Sequence, residues 1–364
     1  MSPSPDAVEA VSQRLNMFLT AQRAAAADFG PEAVLLVEAG ATALEGGKRL
    51  RGRFCVAGWR AVEEAGGSSP ALPDDLITVA ASLEIFHAAA LVHDDVIDNS
   101  DTRRGRPAAH RALEAAHRSR HWVGDAGAFG RSGAILLGDL LVAWSDDLLE
   151  EGLAAASPAR ASAARREYAI MRREVTIGQF LDIAEESAYV TEPDDEHAAR
   201  ALRVASLKSA RYSIQQPLAI GAALAGADAD QQAALAAFGH PVGMAFQLRD
   251  DVLGVFGDES ETGKPSGDDL REGKRTVLIA YAREGLGSTA RRVMDELIGD
   301  PALDAQQIAS LQQTIIETGA LERVEHLIAD YAREGERSLS GARLGNAAVG
   351  GLRDLARAAT VRTT

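Results

Sequence analysis

The chain has a single cysteine, Cys55, in 364 residues. An internal disulfide is therefore excluded, and a reducing, cytoplasmic setting is expected. Basic residues are in the minority: 38 Lys and Arg stand against 53 Asp and Glu, a formal net charge of -15. A nucleic-acid partner needs a basic face and is not expected. Small anionic substrates stay open, because a bound metal inverts the local charge of an acidic site. The opening residues, MSPSPDAVEA, lack the basic region and apolar run of a secretory signal. No stretch approaches roughly 20 uninterrupted apolar residues, so no membrane span is expected. Runs of alternating apolar and polar residues, the mark of a half-buried strand, are also missing.

What is present is helix. Hydrophobic residues make up 46% and charged residues 25%, ordinary for a globular protein and enough for a core with a deep cavity. Alanine and leucine dominate, and helical periodicity runs through 76–98, 134–152, 162–183, 197–225, 231–256 and 303–339. The last two are candidates for interruption, at Gly239-His240-Pro241 and at Gly319. Breaks are expected at 66–70, in a glycine-rich loop at 124–133, at 191–195 with an Asp as helix cap, and in a polar loop at 257–273. Nothing reads as a linker or a fixed-period repeat. The expectation is one all-α domain over 1–364, with the first ten residues and the last few mobile.

The most informative segment is 84–110, EIFHAAALVHDDVIDNSDTRRGRPAAH. On a helix Glu84, His87, Leu91, Asp94 and Asp98 share one face. The remaining residues up to Ile97 are largely apolar, so this polar stripe should face inward. Buried carboxylates are costly unless paired or metal-bound. Asp94 and Asp98, one turn apart and flanked by Asp95, suit Mg²⁺ shared with substrate phosphates. Arg103, Arg104 and Arg106 follow, with forked guanidinium groups suited to diphosphate oxygens. A DDxxD string alone is most often a solvated face or a cap; the apolar surroundings and tandem arginines argue against that here. A second apolar helix, GMAFQLRDDVLGVFGD, carries Gln247 and Asp251 one turn apart beside Asp250. Two such helices facing each other would cage several metal ions. Weaker signals are Gly46-Gly47-Lys48-Arg49-Leu50-Arg51, Gln179 with Asp182, Lys208-Ser209, and the lysines Lys264 and Lys274. Basic surface clusters are common, and none of these would persuade singly.

Together, in this order, the motifs resemble those of the trans-isoprenyl diphosphate synthases, the polyprenyl synthetase family, over 46–276. HDDVID with RRG is similar to the first aspartate-rich motif, and FQLRDD with the later GK and GDDL to the second; GGKRLR, GQFLD and LKSA are similar to the accompanying substrate motifs. The resemblance implies an isoprenoid synthase helical bundle around a deep central cavity and a homodimer. It implies head-to-tail condensation of isopentenyl diphosphate with an allylic diphosphate. Lys48, Arg51, His87 and Arg104 would hold isopentenyl diphosphate. Asp94, Asp98 and Asp250, supported by Asp95, Asp182 and Asp251, would bind magnesium, three ions to a site. Arg103, Lys208 and Lys264 would neutralise the allylic diphosphate, with Gln179 and Lys274 added to the substrate set. Gln247, Ser209 and the Lys208 carbonyl would stabilise the allylic cation.

Departures from the family pattern are Gly254 in place of a third Asp, Gly52 for Pro, Ser209 for Thr, and Val277-Leu278 for Leu-Pro. Ala89 and Ala90, the fifth and fourth residues before Asp94, would leave the pocket open for a geranylgeranyl or longer product. A class I terpene cyclase would share the fold and first motif, but its Asn/Ser/Glu metal triad is replaced here by Asp250-Asp251. A catalytically silent subunit of a heteromeric synthase would be expected to have lost an acidic cluster or the basic site, and this chain keeps both.

Overall fold

A computed structural model of the chain describes residues 5–67, 70–258 and 266–360. Sixteen helices follow one another among them: α1 Pro5–Ala27, α2 Pro31–Leu44, α3 Leu50–Glu63, α4 Asp74–Ile97, α5 Ala109–Ser119, α6 Ala126–Leu153, α7 Pro158–Ala188, α8 His197–Val204, α9 Gln216–Ala225, α10 Ala229–Phe256, α11 Asp268–Glu272, α12 Val277–Glu284, α13 Ser288–Leu297, α14 Ala305–Glu317, α15 Ala320–Ser338 and α16 Asn346–Thr360. An unusual π-helical segment, Ala205–Gln215, joins α8 to α9. The expected all-α architecture is what forms.

The bundle is organised on α4. It is wrapped by α6, α3, α1 and α2, and its apolar residues from Leu76 to Ala89 sit in a core shared with those helices and α7. A second core joins α10 to α12 and the helices after it, and a third joins α3, α9, α10 and α16. The π-helical segment lies between α7 and α10.

Several elements correct the sequence reading. Helix α1 starts at Pro5, within the ten residues expected to be mobile. The glycine-rich stretch 124–133 is mostly the first turns of α6, started by the Asp125 side chain accepting from the Ala128 amide. Gly130 serves helix packing there: a Cβ on it would lie 2.3 Å from the His110 carbonyl of α5. Helix α10 runs unbroken through Pro241, because the buried packing around it outweighs the one missing backbone donor. Gly319, by contrast, does divide α14 from α15. The loop 191–195 is present, yet Asp194 caps nothing; it pairs with Arg283 at 3.2 Å and with Arg291.

Among the described residues, strand is confined to a two-residue ladder, Thr102–Arg103 (β1) against Arg106–Pro107 (β2). By length and composition two helices among the described residues, α4 and α6, are long and apolar enough to cross a membrane. The sequence expectation counted only uninterrupted runs and missed them. Of their apolar windows 78% is buried in α4 but 28% in α6, so α4 is a core helix while α6 shows an apolar stripe with Ile135 and Leu136 at the surface.

Candidate active site

The first acidic cluster forms where α4 ends. Asp94 accepts from Gln179 Nε2 of α7 at 3.0 Å and lies 3.4 Å from Lys208 Nζ. Lys208 also donates to Asp182 at 2.5 Å. Helix α7 and the π-helical segment can exchange these groups because they touch at Gly178, where a Cβ would sit 2.4 Å from the Lys208 amide nitrogen. Burial alone would push Asp94 up, but Lys208, then Lys274 and Arg103, hold it below the usual carboxylate range. Asp98, just past the end of α4, is raised to about 6 by burial and by the Asp94 charge. Glu186, one turn beyond Asp182, is raised to about 7 by burial, then by Asp182 and Asp98.

The tandem arginines are split by the β1–β2 turn. Arg104 and Gly105 are its central residues, both with positive φ, at 53° and 70°, as a tight two-residue hairpin demands. Arg103, on the strand, folds back onto Asp95, with its Nε at 2.8 Å, and toward Asp94 at 3.7 Å. Arg104, on the turn, reaches the Glu45 carbonyl at 2.9 Å and packs against Gly47. One arginine thus joins the carboxylates and the other leaves them.

Arg104 enters a corner of opposite sign. Gly46 and Gly47, both left-handed, turn the chain into α3, so that buried Arg51 approaches His87 of α4, while Lys48 is exposed. Burial, then Arg51 and Arg104, hold His87 well below the usual histidine range. The imidazole is therefore neutral. Arg104 is itself lowered by burial and by Arg49, with Glu84 offsetting this only in part. Glu84 is engaged by the Gly52 amide at 2.8 Å, a bond that proline at 52 could not make, and the Glu45 carboxylate pairs with Arg106.

The second acidic cluster belongs to α10 and α11. Gln247 donates to Asp251 at 2.6 Å. Asp251 is raised to about 8 by burial, then by Asp269. Gly254 has a clear purpose: a Cβ there would fall 1.9 Å from Asp269 Oδ2. The carboxylate of α11 fills the space that the missing third aspartate would need. Lys274 lies 3.3 Å from Asp269 and 2.6 Å from Glu272, and its ammonium also feels Asp98. A lysine thus links the two acidic clusters.

A protein-family model described as polyprenyl synthetase matches residues 34–315. The chain belongs to the polyprenyl synthetase family. A geranylgeranyl pyrophosphate synthase from Corynebacterium glutamicum, crystallised with isoprenyl diphosphate and magnesium, is similar over 98% of both chains, with a TM-score of 0.91 and 40% identity. A geranylfarnesyl diphosphate synthase of Aeropyrum pernix is 33% identical over 81% of this chain and 83% of its own. A (2E,6E)-farnesyl diphosphate synthase of Mycobacterium bovis is 32% identical over 71% of this chain and 65% of its own.

In this polyprenyl synthetase the residues fit magnesium in a particular way. Among the described residues no three His, Cys, Asp or Glu side chains converge into a ready cage. The carboxylates are instead spread over α4, α7, α10 and α11 and bridged by ammonium groups. Mg²⁺ suits such a site, since it takes one or two carboxylates and completes its shell with water and phosphate. The structure brings together Asp94, Asp95, Asp98, Asp182, Gln179, Arg103, Lys208 and Lys274, and separately Arg51, His87 and Arg104; Lys48 is exposed beside them in sequence. Lys264 lies outside the described residues. Asp250 sits half-buried beside Asp251, and Ser209 half-buried beside Lys208. Sequence reasoning missed Glu186, Asp269, Glu272 and Tyr212. Glu186 could have been found four residues after Asp182; Asp269 lay within the noted GDDL string.

Proposed function

We propose that this polyprenyl synthetase condenses isopentenyl diphosphate head to tail with an allylic diphosphate, giving an all-trans prenyl diphosphate of geranylgeranyl length or longer. The carrying observation is the pair of neighbouring sites with opposite chemistry. One is a corner of cations whose nearby carboxylate is engaged elsewhere; the other is a set of carboxylates bridged by lysines. The first suits a diphosphate bound without metal. The second suits a diphosphate bound with it.

In this reading Lys48, Arg51, His87 and Arg104 hold isopentenyl diphosphate. Asp94, Asp98 and Asp250 hold Mg²⁺, three ions to a site, with Asp95, Asp182, Asp251 and Asp269 around them. Arg103, Lys208, Lys264 and Lys274 neutralise the allylic diphosphate, and Gln179 keeps Asp94 aimed. Bound magnesium supplies charge stabilisation for the departing diphosphate. Lys208 and Arg103 add positive charge at the same leaving group. Gln247, Ser209 and the Lys208 carbonyl turn oxygen atoms toward the allylic cation, and apolar walls exclude the water that would quench it.

The face of α4 below Asp94 supports a long product. Ala90 is half-buried, whereas Ala89 is buried in the core. The first phenylalanine, tyrosine or tryptophan is Phe86, eight residues or about 12 Å down the helix from Asp94, edge-on to Tyr168 and Tyr212. The exposed apolar stripe of α6 suits pairing with a second copy, in the cytoplasm. Incubation with Mg²⁺, isopentenyl diphosphate and allylic diphosphates, read by mass spectrometry, tests the reaction. One elongated prenyl diphosphate is expected, reduced at least ~10³-fold by Asp94→Ala. Released hydrocarbon would favour a cyclase, and no turnover a silent subunit. Light scattering in solution tests the dimer.

A further inference from the structure

We propose that Tyr212 is a positioning residue for the cationic corner, setting His87 and Arg51 as one unit. The inference rests on the reading of that corner as the site for isopentenyl diphosphate.

Tyr212 lies on the π-helical segment, 5% exposed. Its hydroxyl is 3.1 Å from His87 Nδ1. The Arg51 guanidinium lies over its ring, 4.2 Å from the centroid. Arg51 is held from the far side too, donating to Ser213 at 2.7 Å. Phe86 meets the Tyr212 ring edge-on, at 6.0 Å and 73°, so the ring itself cannot swing. One side chain thus contacts two of the four groups assigned to the anion.

The chemistry gives these contacts a direction. A guanidinium can only donate. Arg51, stacked on the ring, therefore offers the phenol no acceptor, and the hydroxyl hydrogen is free to point at His87 Nδ1, 3.1 Å away. The imidazole stands among several guanidinium groups and is neutral, so it carries one N–H. With Nδ1 accepting from Tyr212, that N–H is on Nε2, directed away from the tyrosine. The opposite tautomer would offer an anion a lone pair instead of a donor. Tyr212 therefore makes a neutral histidine into a donor for diphosphate. Its ring also restrains a guanidinium that would otherwise sample many rotamers.

The test compares wild type with Tyr212→Phe, which keeps the ring and loses the hydroxyl, using Arg51→Lys as a reference for losing the stack. In Tyr212→Phe the KM for isopentenyl diphosphate should rise ~10-fold, the size of one lost hydrogen bond at a buried polar site. The kcat and the KM for the allylic substrate should change less than ~2-fold. Nitrogen-15 NMR of histidine-labelled protein should show His87 protonated on Nε2 in wild type and a mixture of tautomers in the variant. Calorimetry with isopentenyl diphosphate in EDTA should show the same loss of affinity, since no metal takes part at this corner. An unchanged KM with unchanged His87 shifts would overturn the inference. So would equal losses for both substrates together with a lowered melting temperature, which would mark a packing role. Wild-type protein that binds no isopentenyl diphosphate would overturn the site assignment as well, so the two failures are distinct.

Discussion

Restoring an aspartate at position 254 should impair the second acidic cluster rather than complete it. A side chain there would place its first carbon 1.9 Å from Asp269 Oδ2 and 2.4 Å from Cγ, with Oδ1 at 3.0 Å. These atoms end a side chain, so the carboxylate would rotate away and loosen its 3.3 Å contact with Lys274. Even Gly254→Ala should cost about 1–3 kcal/mol of overpacking, against roughly 0.5–1 kcal/mol gained by replacing a helical glycine. The net is a loss of order 1 kcal/mol, or a few degrees in melting temperature. Gly254→Asp adds a negative charge beside Asp251, which burial already raises to about 8. Melting curves with Mg²⁺ and inorganic diphosphate, alongside rates titrated with Mg²⁺, provide the assay. Gly254→Asp and Asp269→Gly should each raise the half-saturating Mg²⁺ at least ~10-fold, while the double variant should recover most of the loss, because the two positions share one space. If Gly254→Asp behaves like wild type, or Asp269→Gly leaves the Mg²⁺ requirement unchanged, the carboxylate of α11 is not standing in for the missing one.

Asp251 carries a stability cost that depends on pH. Its carboxyl is raised from 3.8 to about 8 in the folded chain, so the native state binds more protons than the unfolded state in that window. Metal-free stability should fall as pH rises from about 4 to about 8, and Asp251→Asn should melt several degrees above wild type at pH 9 while losing activity. Phe86→Ala should open the face below Ala90 and shift the product toward longer chains, as chromatography of the dephosphorylated prenols would show; an unchanged product would place the floor on another helix.

The acidic helix α4 was legible because a carboxylate stripe on an apolar helix has few physical outlets. The same reasoning gave α10, whose Gln247–Asp251 spacing is the bond observed. Residue spacing alone could not separate Arg103 from Arg104, which the family resemblance assigned to different diphosphates; their division depends on two left-handed residues in a two-residue turn. It misread 124–133 as a loop because glycine is ambiguous: the same residue that frees a turn also lets helices touch. Gly254 was visible only as an omission. Its meaning lay fifteen residues on, in a carboxylate that local spacing does not connect to it. Tyr212 was hidden for a similar reason, because its partners Arg51 and His87 come from α3 and α4.

Lys274 has a consequence for the order in which the active site loads. It neutralises the region between the two acidic clusters with a charge that belongs to the chain, so a lone divalent cation arriving there competes with an internal counterion. A diphosphate changes that competition, because its oxygens give the displaced ammonium a new partner while completing the shell of the ion. Metal and allylic substrate should therefore enter cooperatively, each weak without the other, and the carboxylates should stay protected from stray divalent ions between turnovers.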